Sequence, residues 1–174
     1  MRFAAFLRGI NVGGRIVKMA DLKACLEKAG YRHVATLLQS GNVVFEAQGT
    51  PKEHGAEIEK LLRARFGYDA QALVYRLADV EKIAAGNPFG DAGEEAHQYV
   101  IFADAPAVEE LVSLSTGLDA KIERVRAGKR CVYWTVPKGS TLKSEFARRM
   151  AKARLLPRTT TRNLDTVRKL LALG

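Results

Sequence analysis

The sequence predicts an α/β (α+β) protein built from two ferredoxin-like halves of the βαββα type, related by an internal duplication. Apolar runs of strand length alternate with segments in which apolar residues recur at helical spacing, and the same order occurs twice. A chain of 174 residues is long enough for two such halves in one compact unit. The predicted bounds are 1–86 for the first half, which contains one further strand and a glycine-rich loop, and 91–174 for the second, which is basic and contains a final helix.

Glycine spacing supports the duplication. In each half a predicted helix ends at a glycine, a strand follows, and a hairpin glycine comes eleven residues after the first, the pairs being Gly30 with Gly41 and Gly117 with Gly128. If the halves are copies, the first contains about nine extra residues between its first strand and its first helix. We expect functional elaboration in that insertion.

The elements of the first half follow from local signals. Apolar residues at helical spacing predict a helix over 19–29 that ends at Gly30. A second helix is predicted from Thr50, with Pro51 in its first turn and Glu53 reaching back to the cap. Strands are predicted for the apolar runs at 3–7, 34–38, 42–45 and 72–75.

The boundary between the halves is predicted at Gly86-Asn87-Pro88-Phe89-Gly90, after a short helix over 77–85. Proline ends a helix there, and the glycines loosen the backbone. The second half is then predicted to contain a strand at 98–103, a helix opened by Pro106, strands at 121–125 and 131–136 around a turn at 126–129, a basic helix from Leu142 and a last helix from Leu164.

The connection Arg8-Gly9-Ile10-Asn11-Val12-Gly13-Gly14 is the strongest candidate for a functional site. Three glycines in seven residues predict a tightly folded loop with exposed amide groups. The spacing is neither a dinucleotide fingerprint nor a P-loop, but amides beside a helix N-terminus still favour an anion. A purely structural loop is the alternative. We assign the primary ligand-binding site to Arg8, Gly9, Asn11, Gly13, Gly14 and Lys18.

Two further segments are predicted to complete this site. The hairpin Gln39-Ser40-Gly41-Asn42 offers Ser40 and Asn42 as ligand contacts, although turns also recruit these residue types for conformational reasons alone. No nucleophile elbow surrounds Ser40. Before the last helix, Thr161 or Asn163 is expected to cap, and Arg162 and Asn163 are predicted to contact the same anion.

Positive charge is concentrated in the last third of the chain. Residues 1–120 hold 13 Lys and Arg against 16 Asp and Glu, whereas residues 121–174 hold 15 against 3. This asymmetry predicts an electropositive surface for a phosphorylated ligand or nucleic acid, with a merely solvated basic surface as the alternative. Trp134 or Tyr133, if exposed, would favour nucleic acid.

Several classes are not supported by the sequence. No window has the roughly 18–20 apolar residues that a membrane helix needs, so we expect a cytoplasmic protein without a membrane partner. Two isolated cysteines give no disulfide framework, and the three histidines have no metal-ligand spacing. We therefore predict no metal and no cofactor, and the oligomeric state stays open.

The chain resembles an uncharacterised bacterial family, domain of unknown function 1697. The resemblance is carried by Leu7 to Gly14, Lys18-Met19-Ala20-Asp21-Leu22, Leu38 to Phe45, Asn87-Pro88-Phe89, Thr160-Thr161-Arg162-Asn163, Thr166-Val167 and Lys169-Leu170. Leu164 departs from the family pattern, which has an aromatic residue there, usually Trp. The resemblance implies an α/β fold of ferredoxin-like character and brings no activity with it.

Three classes of function remain open on the sequence alone. The first is a binding module for a phosphate-bearing ligand or nucleic acid. The second is an enzyme acting on a small anionic metabolite, for which no histidine or carboxylate inside the candidate motifs offers a clear base, because Asp21 and Asp165 are better explained as helix-start residues. The third is a protein-interaction scaffold, which would expose a large apolar patch.

Overall fold

The computed structural model describes residues 1–11, 16–67, 69–90, 93, 95–155 and 158–174. Strands and helices alternate along this part of the chain in a βαββαβ order that occurs twice, with one short helix after each occurrence. The elements are β1 (Arg2–Arg8), α1 (Met19–Lys28), β2 (Arg32–Leu37), β3 (Asn42–Glu46), α2 (Pro51–Phe66), β4 (Gln71–Arg76), α3 (Leu77–Ala85), β5 (Ala96–Ala103), α4 (Ala105–Leu114), β6 (Arg124–Gly128), β7 (Cys131–Pro137), α5 (Glu145–Lys152), β8 (Thr159–Asn163) and α6 (Leu164–Leu171).

Each half forms its own four-stranded sheet, and the two sheets have the same topology. The first has the order β2-β3-β1-β4 and the second β6-β7-β5-β8, and all neighbouring strands are antiparallel. This is the ferredoxin-like arrangement, so the predicted fold class of two similar α+β halves is confirmed.

The chain packs as two compact units. One consists of Met1–Lys82 together with Thr166–Gly174, and the other of Ile83–Asp165. The bounds of 1–86 and 91–174 remain a prediction of domain organisation drawn from the sequence. Among the described residues, no helix is long and apolar enough to cross a membrane.

The first unit buries an apolar layer between its sheet and helices α1 and α2. The capping box at the start of α2 forms as predicted: the Glu53 amide donates to Thr50 Oγ1, and the Thr50 amide donates to Glu53 Oε2. Gly67 ends this helix in the left-handed conformation. The core includes Phe3, Ala5, Leu7, Leu22, Leu26, Val43, Phe45, Ile58 and Leu62.

The second unit differs from the sequence prediction in three local details. Thr159–Asn163 forms a fourth strand, where only a cap for the last helix was expected, because it pairs with β5 along five positions. Helix α5 starts after Ser144, whose side chain caps it, so Leu142, the predicted start, lies before the helix and is 90% exposed. Strand β6 covers Arg124–Gly128, three residues later than the predicted 121–125, so the hairpin turn is confined to 129–130 and does not span 126–129.

Strand register gives a residue-by-residue correspondence between the units. Phe3 pairs with Phe45 in the first sheet, and Tyr99 pairs with Trp134 at the same position in the second. By this register the two hairpins are equivalent, but Gly41 corresponds to Arg130, which also has a positive φ, and not to Gly128. The predicted match between Gly41 and Gly128 is therefore wrong by two residues, although the two sheets share one topology.

Candidate functional site

At one end of its sheet, the first unit has two connections that are longer than their counterparts in the second unit. Between β1 and α1 lies the connection 9–18, whereas Asp104 alone separates β5 from α4. The first hairpin loop spans 38–41, whereas the second spans 129–130. The two longer segments of the first unit are the ones that the sequence singled out.

Asn11 joins these two segments. Its Nδ2 donates to the Gln39 carbonyl at 2.6 Å, and its Oδ1 accepts from the Val17 amide at 2.6 Å. Asn11 has a φ of 54°, a left-handed conformation that asparagine tolerates better than most residues. The side chain therefore acts as a clamp between the glycine-rich connection, the hairpin and the approach to α1.

The hairpin approaches the connection closely. The Leu7 amide donates to the Gly41 carbonyl at 2.7 Å. A Cβ on Gly41 would lie 2.8 Å from Leu7 Cβ and 2.5 Å from Ile10 Cδ1, and the φ of 74° is one that glycine adopts without strain, so the position favours glycine. Asn42 is fully buried, and its Nδ2 donates to the Leu37 carbonyl and to Ser40 Oγ, whereas Ser40 is exposed. The described contacts of Asn42 shape the turn, and Ser40 lies at its surface.

Arg8 and Lys18 bracket the connection. Arg8 is half-buried, and burial lowers the pKa of its guanidinium, which nevertheless stays charged at neutral pH. Gly9 follows with a φ of 76°. Lys18 is exposed and occupies the N-cap position of α1, where its side chain makes no capping hydrogen bond.

The equivalent place in the second unit is filled by a carboxylate. Asp104 caps α4, because its Oδ1 accepts from the Ala107 amide at 2.8 Å. Arg158 binds the same carboxylate through Nη2 at 2.8 Å and Nε at 3.3 Å, and the hydrogen bond from Arg158 lowers the pKa of Asp104. The second unit thus carries an anion on the N-terminus of its first helix and an arginine on that anion.

Register places Arg8 of the first unit where the second has Asp104. In the first unit Arg8 is the cross-strand partner of Gln71 on β4. In the second unit Asp104 forms an ion pair with Arg158, the residue directly before β8. The first unit therefore has a cation where the second has the capping carboxylate. Gln71 Oε1 is buried and lacks a hydrogen-bond partner among the residues described. Sequence motifs gave no signal for Gln71, since only strand pairing relates it to Arg8.

Four further residues were predicted to belong to this site. Gly13 and Gly14 lie outside the described residues. Arg162 and Asn163 belong to the second unit, where Arg162 Nη1 donates to Thr160 Oγ1 and the Asn163 side chain accepts from the Asp165 amide at the start of α6. Their contribution to the same site stays a prediction.

Part of the positive charge in the last third is engaged locally. Arg149 pairs with Glu145 and donates to the Leu114 and Thr116 carbonyls at the end of α4, and Arg158 pairs with Asp104. Trp134 and Tyr133 point to opposite faces of the second sheet, and both are buried. Neither is an exposed platform for stacking a base.

The cysteines and the possible metal ligands were also located among the described residues. Cys25 and Cys131 are free cysteines, and burial raises the pKa of the Cys131 thiol to about 11. Within the described ranges, no group of three His, Cys, Asp or Glu side chains is placed to hold a metal ion.

Comparisons with known proteins define the class to which this chain belongs. The family model described as "Protein of unknown function (DUF1697)" matches residues 1–133, which is more than half of the chain. The chain therefore belongs to this family, as its motifs indicated. Leu164, where the resemblance led us to expect an aromatic residue, lies beyond the matched residues and is buried.

One solved structure is similar over nearly the whole chain. It is titled "The structure of conserved bacterial protein SP0830 from Streptococcus pneumoniae", with 23% sequence identity and a TM-score of 0.77 over 99% of this chain and 97% of that one. At this identity the likeness shows the fold alone. No curated protein matches the chain.

Proposed function

We propose that the first unit binds a phosphate-bearing ligand at the end of its sheet where the connection 9–18 meets the hairpin 38–41. One observation carries the proposal: the N-terminus of α1 has Lys18 at its cap and no capping side-chain bond, whereas its counterpart in the second unit holds the Asp104 carboxylate. A ligand anion would take the role at α1 that Asp104 plays at α4.

The physical basis is the positive potential of a helix N-terminus. The first amides of a helix have no intrahelical acceptor, and the aligned peptide dipoles add about half a positive charge there. Asp104 and Arg158 show that this fold accommodates a carboxylate and a guanidinium together at that place. Arg8 and Lys18 are the cations offered by the first unit, and guanidinium and ammonium groups both bind phosphate.

The Asn11 clamp supports the same proposal. It links Asn11 and Val17, near the two ends of the connection, to each other and to the hairpin, so these contacts would be formed before a ligand binds. Ser40 lies on the exposed side of that surface and supplies a hydroxyl. In this proposal Asn42 stabilises the turn through its buried hydrogen bonds to Leu37 and Ser40.

Binding is favoured over catalysis at this place. Neither the connection 9–18 nor the hairpin 38–41 contains a histidine, aspartate or glutamate, so neither segment supplies a proton acceptor of those types. The ligand class is phosphate-bearing, either a small phosphorylated metabolite or the backbone of a nucleic acid. Cytoplasmic localisation accompanies the proposal as an expectation from the sequence.

A thermal-shift screen followed by titration tests the proposal. Nucleotides, sugar phosphates and a single-stranded oligonucleotide are the probes, and a ligand at one hundred times its dissociation constant adds about 2.7 kcal/mol of stability. We expect the Arg8→Ala, Lys18→Ala double variant to lose the response. The control is the Lys129→Ala, Lys138→Ala double variant, which removes the same charge from the second unit.

The salt dependence separates the two ligand classes. Binding of the oligonucleotide through several phosphates falls steeply between low and high salt, whereas binding of a single phosphate group falls less. Full binding by the Arg8→Ala, Lys18→Ala variant would remove the site assignment. Equal loss in both double variants would show that net charge alone attracts the ligand.

A further inference from the structure

Two large apolar side chains project from the segments that form the proposed phosphate site. Ile16, in the connection 9–18, is 77% exposed, and Leu38, in the hairpin 38–41, is 57% exposed. A single exposed apolar residue needs no explanation, since apolar atoms make up a large share of any protein surface. The conformation of Leu38 and the placement of both residues set these two apart.

Leu38 has a backbone conformation that is strained for leucine. Its φ is 59°, in the left-handed region that glycine and asparagine adopt at lower cost. The turn uses the backbone of this residue, because the Leu38 carbonyl accepts from the Gly41 amide at 3.4 Å. Burial of the side chain offsets little of the strain, because more than half of the residue is exposed. Strained residues of this kind cluster at functional sites, so the side chain of Leu38 points to a role outside the turn.

The Asn11 carboxamide places the two apolar residues on adjoining segments. Its Nδ2 donates to the carbonyl of Gln39, the residue after Leu38, at 2.6 Å. Its Oδ1 accepts from the amide of Val17, the residue after Ile16, at 2.6 Å. Each apolar residue is therefore one position away from a backbone group that the same side chain binds. A ligand lying across Asn11 would reach both.

Positive charge and polar groups accompany these apolar side chains. Lys18, two residues after Ile16, is exposed, and neither segment contains an aspartate or a glutamate. Gln39 and Ser40 follow Leu38 and are also exposed. A ligand that matches this surface carries phosphates, apolar faces and hydrogen-bonding edges close together. The unstacked bases and the phosphates of a single-stranded nucleic acid have all three.

A duplex and a lipid surface match these features less well. A duplex covers its base faces by stacking and presents only phosphates and groove edges to a protein. Insertion of the hairpin into a bilayer would carry the Gln39 carboxamide and the Ser40 hydroxyl towards hydrocarbon together with Leu38. Burial of such groups without hydrogen bonds is costly, whereas base edges would supply partners for them.

We infer that the ligand of the first unit is a single-stranded nucleic acid whose bases lie against Ile16 and Leu38. The inference rests on the proposed phosphate site, because Arg8 and Lys18 would bind the adjoining phosphates. Every base has an apolar face, so binding is expected to show little sequence preference. A sugar phosphate lacks such faces and would leave both side chains in water.

Fluorescence anisotropy with three labelled strands of about ten nucleotides tests the inference. One is a thymidine strand, one is its uridine counterpart, which separates RNA from DNA, and one is an abasic strand with the same number of phosphates. We expect a base-bearing strand to bind at least about tenfold more tightly than the abasic strand. The Leu38→Asn and Ile16→Ser variants should each weaken binding of that strand roughly fivefold to tenfold, because an apolar contact is lost. Binding of the abasic strand should not change.

A measurement of stability separates ligand contact from a structural role. Asparagine tolerates the left-handed conformation better than leucine does, so the Leu38→Asn variant should keep or raise the urea midpoint of the parent protein. Weaker binding without loss of stability is the expected signature. The Leu142→Asn variant is the matched control, since Leu142 is 90% exposed in the second unit, and it should change neither readout.

The outcomes distinguish this inference from the phosphate site on which it rests. Equal affinity of the parent protein for base-bearing and abasic strands would overturn the inference and leave the phosphate site in place. Unchanged binding of every strand by the Arg8→Ala, Lys18→Ala variant would remove the phosphate site and the inference together. A lower urea midpoint in Leu38→Asn would show that packing explains the leucine, which also overturns its assigned role. Binding to phosphatidylserine vesicles but to no strand would assign Ile16 and Leu38 to a lipid surface instead.

Discussion

Asn11 Nδ2 donates to the Gln39 carbonyl at 2.6 Å, and this bond joins the two segments by which the first unit exceeds the second. The same side chain accepts from the Val17 amide and so also fixes the approach to α1. One asparagine thereby connects a long loop, a long hairpin and a helix start. The candidate phosphate site depends on this connection for its shape.

Replacing Asn11 tests the clamp. The Asn11→Gly variant keeps the positive φ but removes both hydrogen bonds, so we expect it to destabilise the protein by about 1–2 kcal/mol. Hydrogen exchange of the Val17 amide should accelerate, because that amide loses its acceptor. In the Asn11→Asp variant the acceptor is kept, and Val17 should stay protected. Equal exchange of Val17 in both variants would argue against the clamp.

Gly41 tests the close approach of hairpin and connection. In the Gly41→Ala variant a Cβ would lie 2.5 Å from Ile10 Cδ1 and 2.8 Å from Leu7 Cβ, in a backbone with a φ of 74°. We expect about 2–4 kcal/mol of destabilisation in urea unfolding, from overpacking added to backbone strain. Gly67→Ala is the control, since its φ is 68° and no atom of a described residue lies within 4 Å of the added Cβ. A similar loss in both variants would leave strain alone as the cause.

Glu123 tests the buried polar link of the second unit. The Glu123→Gln variant replaces one acceptor oxygen by an NH₂ group that faces an N–H donor, either Trp134 Nε1 or the Phe146 amide. We expect a loss of about 1–3 kcal/mol, the cost of an unsatisfied buried donor. Trp134 is the single tryptophan of the chain, so its fluorescence reports the unfolding of this unit. Glu109→Gln, an exposed change, should leave the urea midpoint where it is.

His54 predicts a dependence of stability on pH. Its pKa in the folded protein lies below the unfolded value of about 6.5, because burial disfavours the charged imidazole. The unfolded chain therefore binds a proton more readily, and the stability contributed by His54 is present above about pH 6.5 and is lost as the pH falls through the folded pKa.

Urea unfolding at several pH values between about 7 and 5 checks this dependence. The His54→Phe variant preserves an aromatic ring among Phe3, Tyr31 and Phe45, and we expect it to flatten the curve over this range. The His33→Gln variant changes an exposed histidine and should keep the slope of the parent protein. A parent curve that is already flat would refute the prediction.

Local signals in the sequence determined the elements whose causes are themselves local. Thr50, Pro51 and Glu53 specify the start of α2 because a capping box involves only neighbouring residues. Gly30 and Gly67 end helices for the same reason, through a left-handed conformation that glycine adopts without strain. Apolar periodicity then gave the order of strands and helices, and hence the fold class.

Only the tertiary structure decided what depends on pairing between distant segments. Thr159–Asn163 is polar and looks like a helix cap, yet it becomes a strand because β5 presents an open edge to it. The sequence predicts Asn11 as a ligand contact. In the structure its side chain donates to the Gln39 carbonyl, 28 positions along the chain, which the sequence did not indicate. His54 carried no motif, since its burial against Phe3, Tyr31 and Phe45 comes from contacts between separate segments of the chain. Spacing along the chain records local geometry, whereas strand register and burial arise from contacts that the linear sequence does not display.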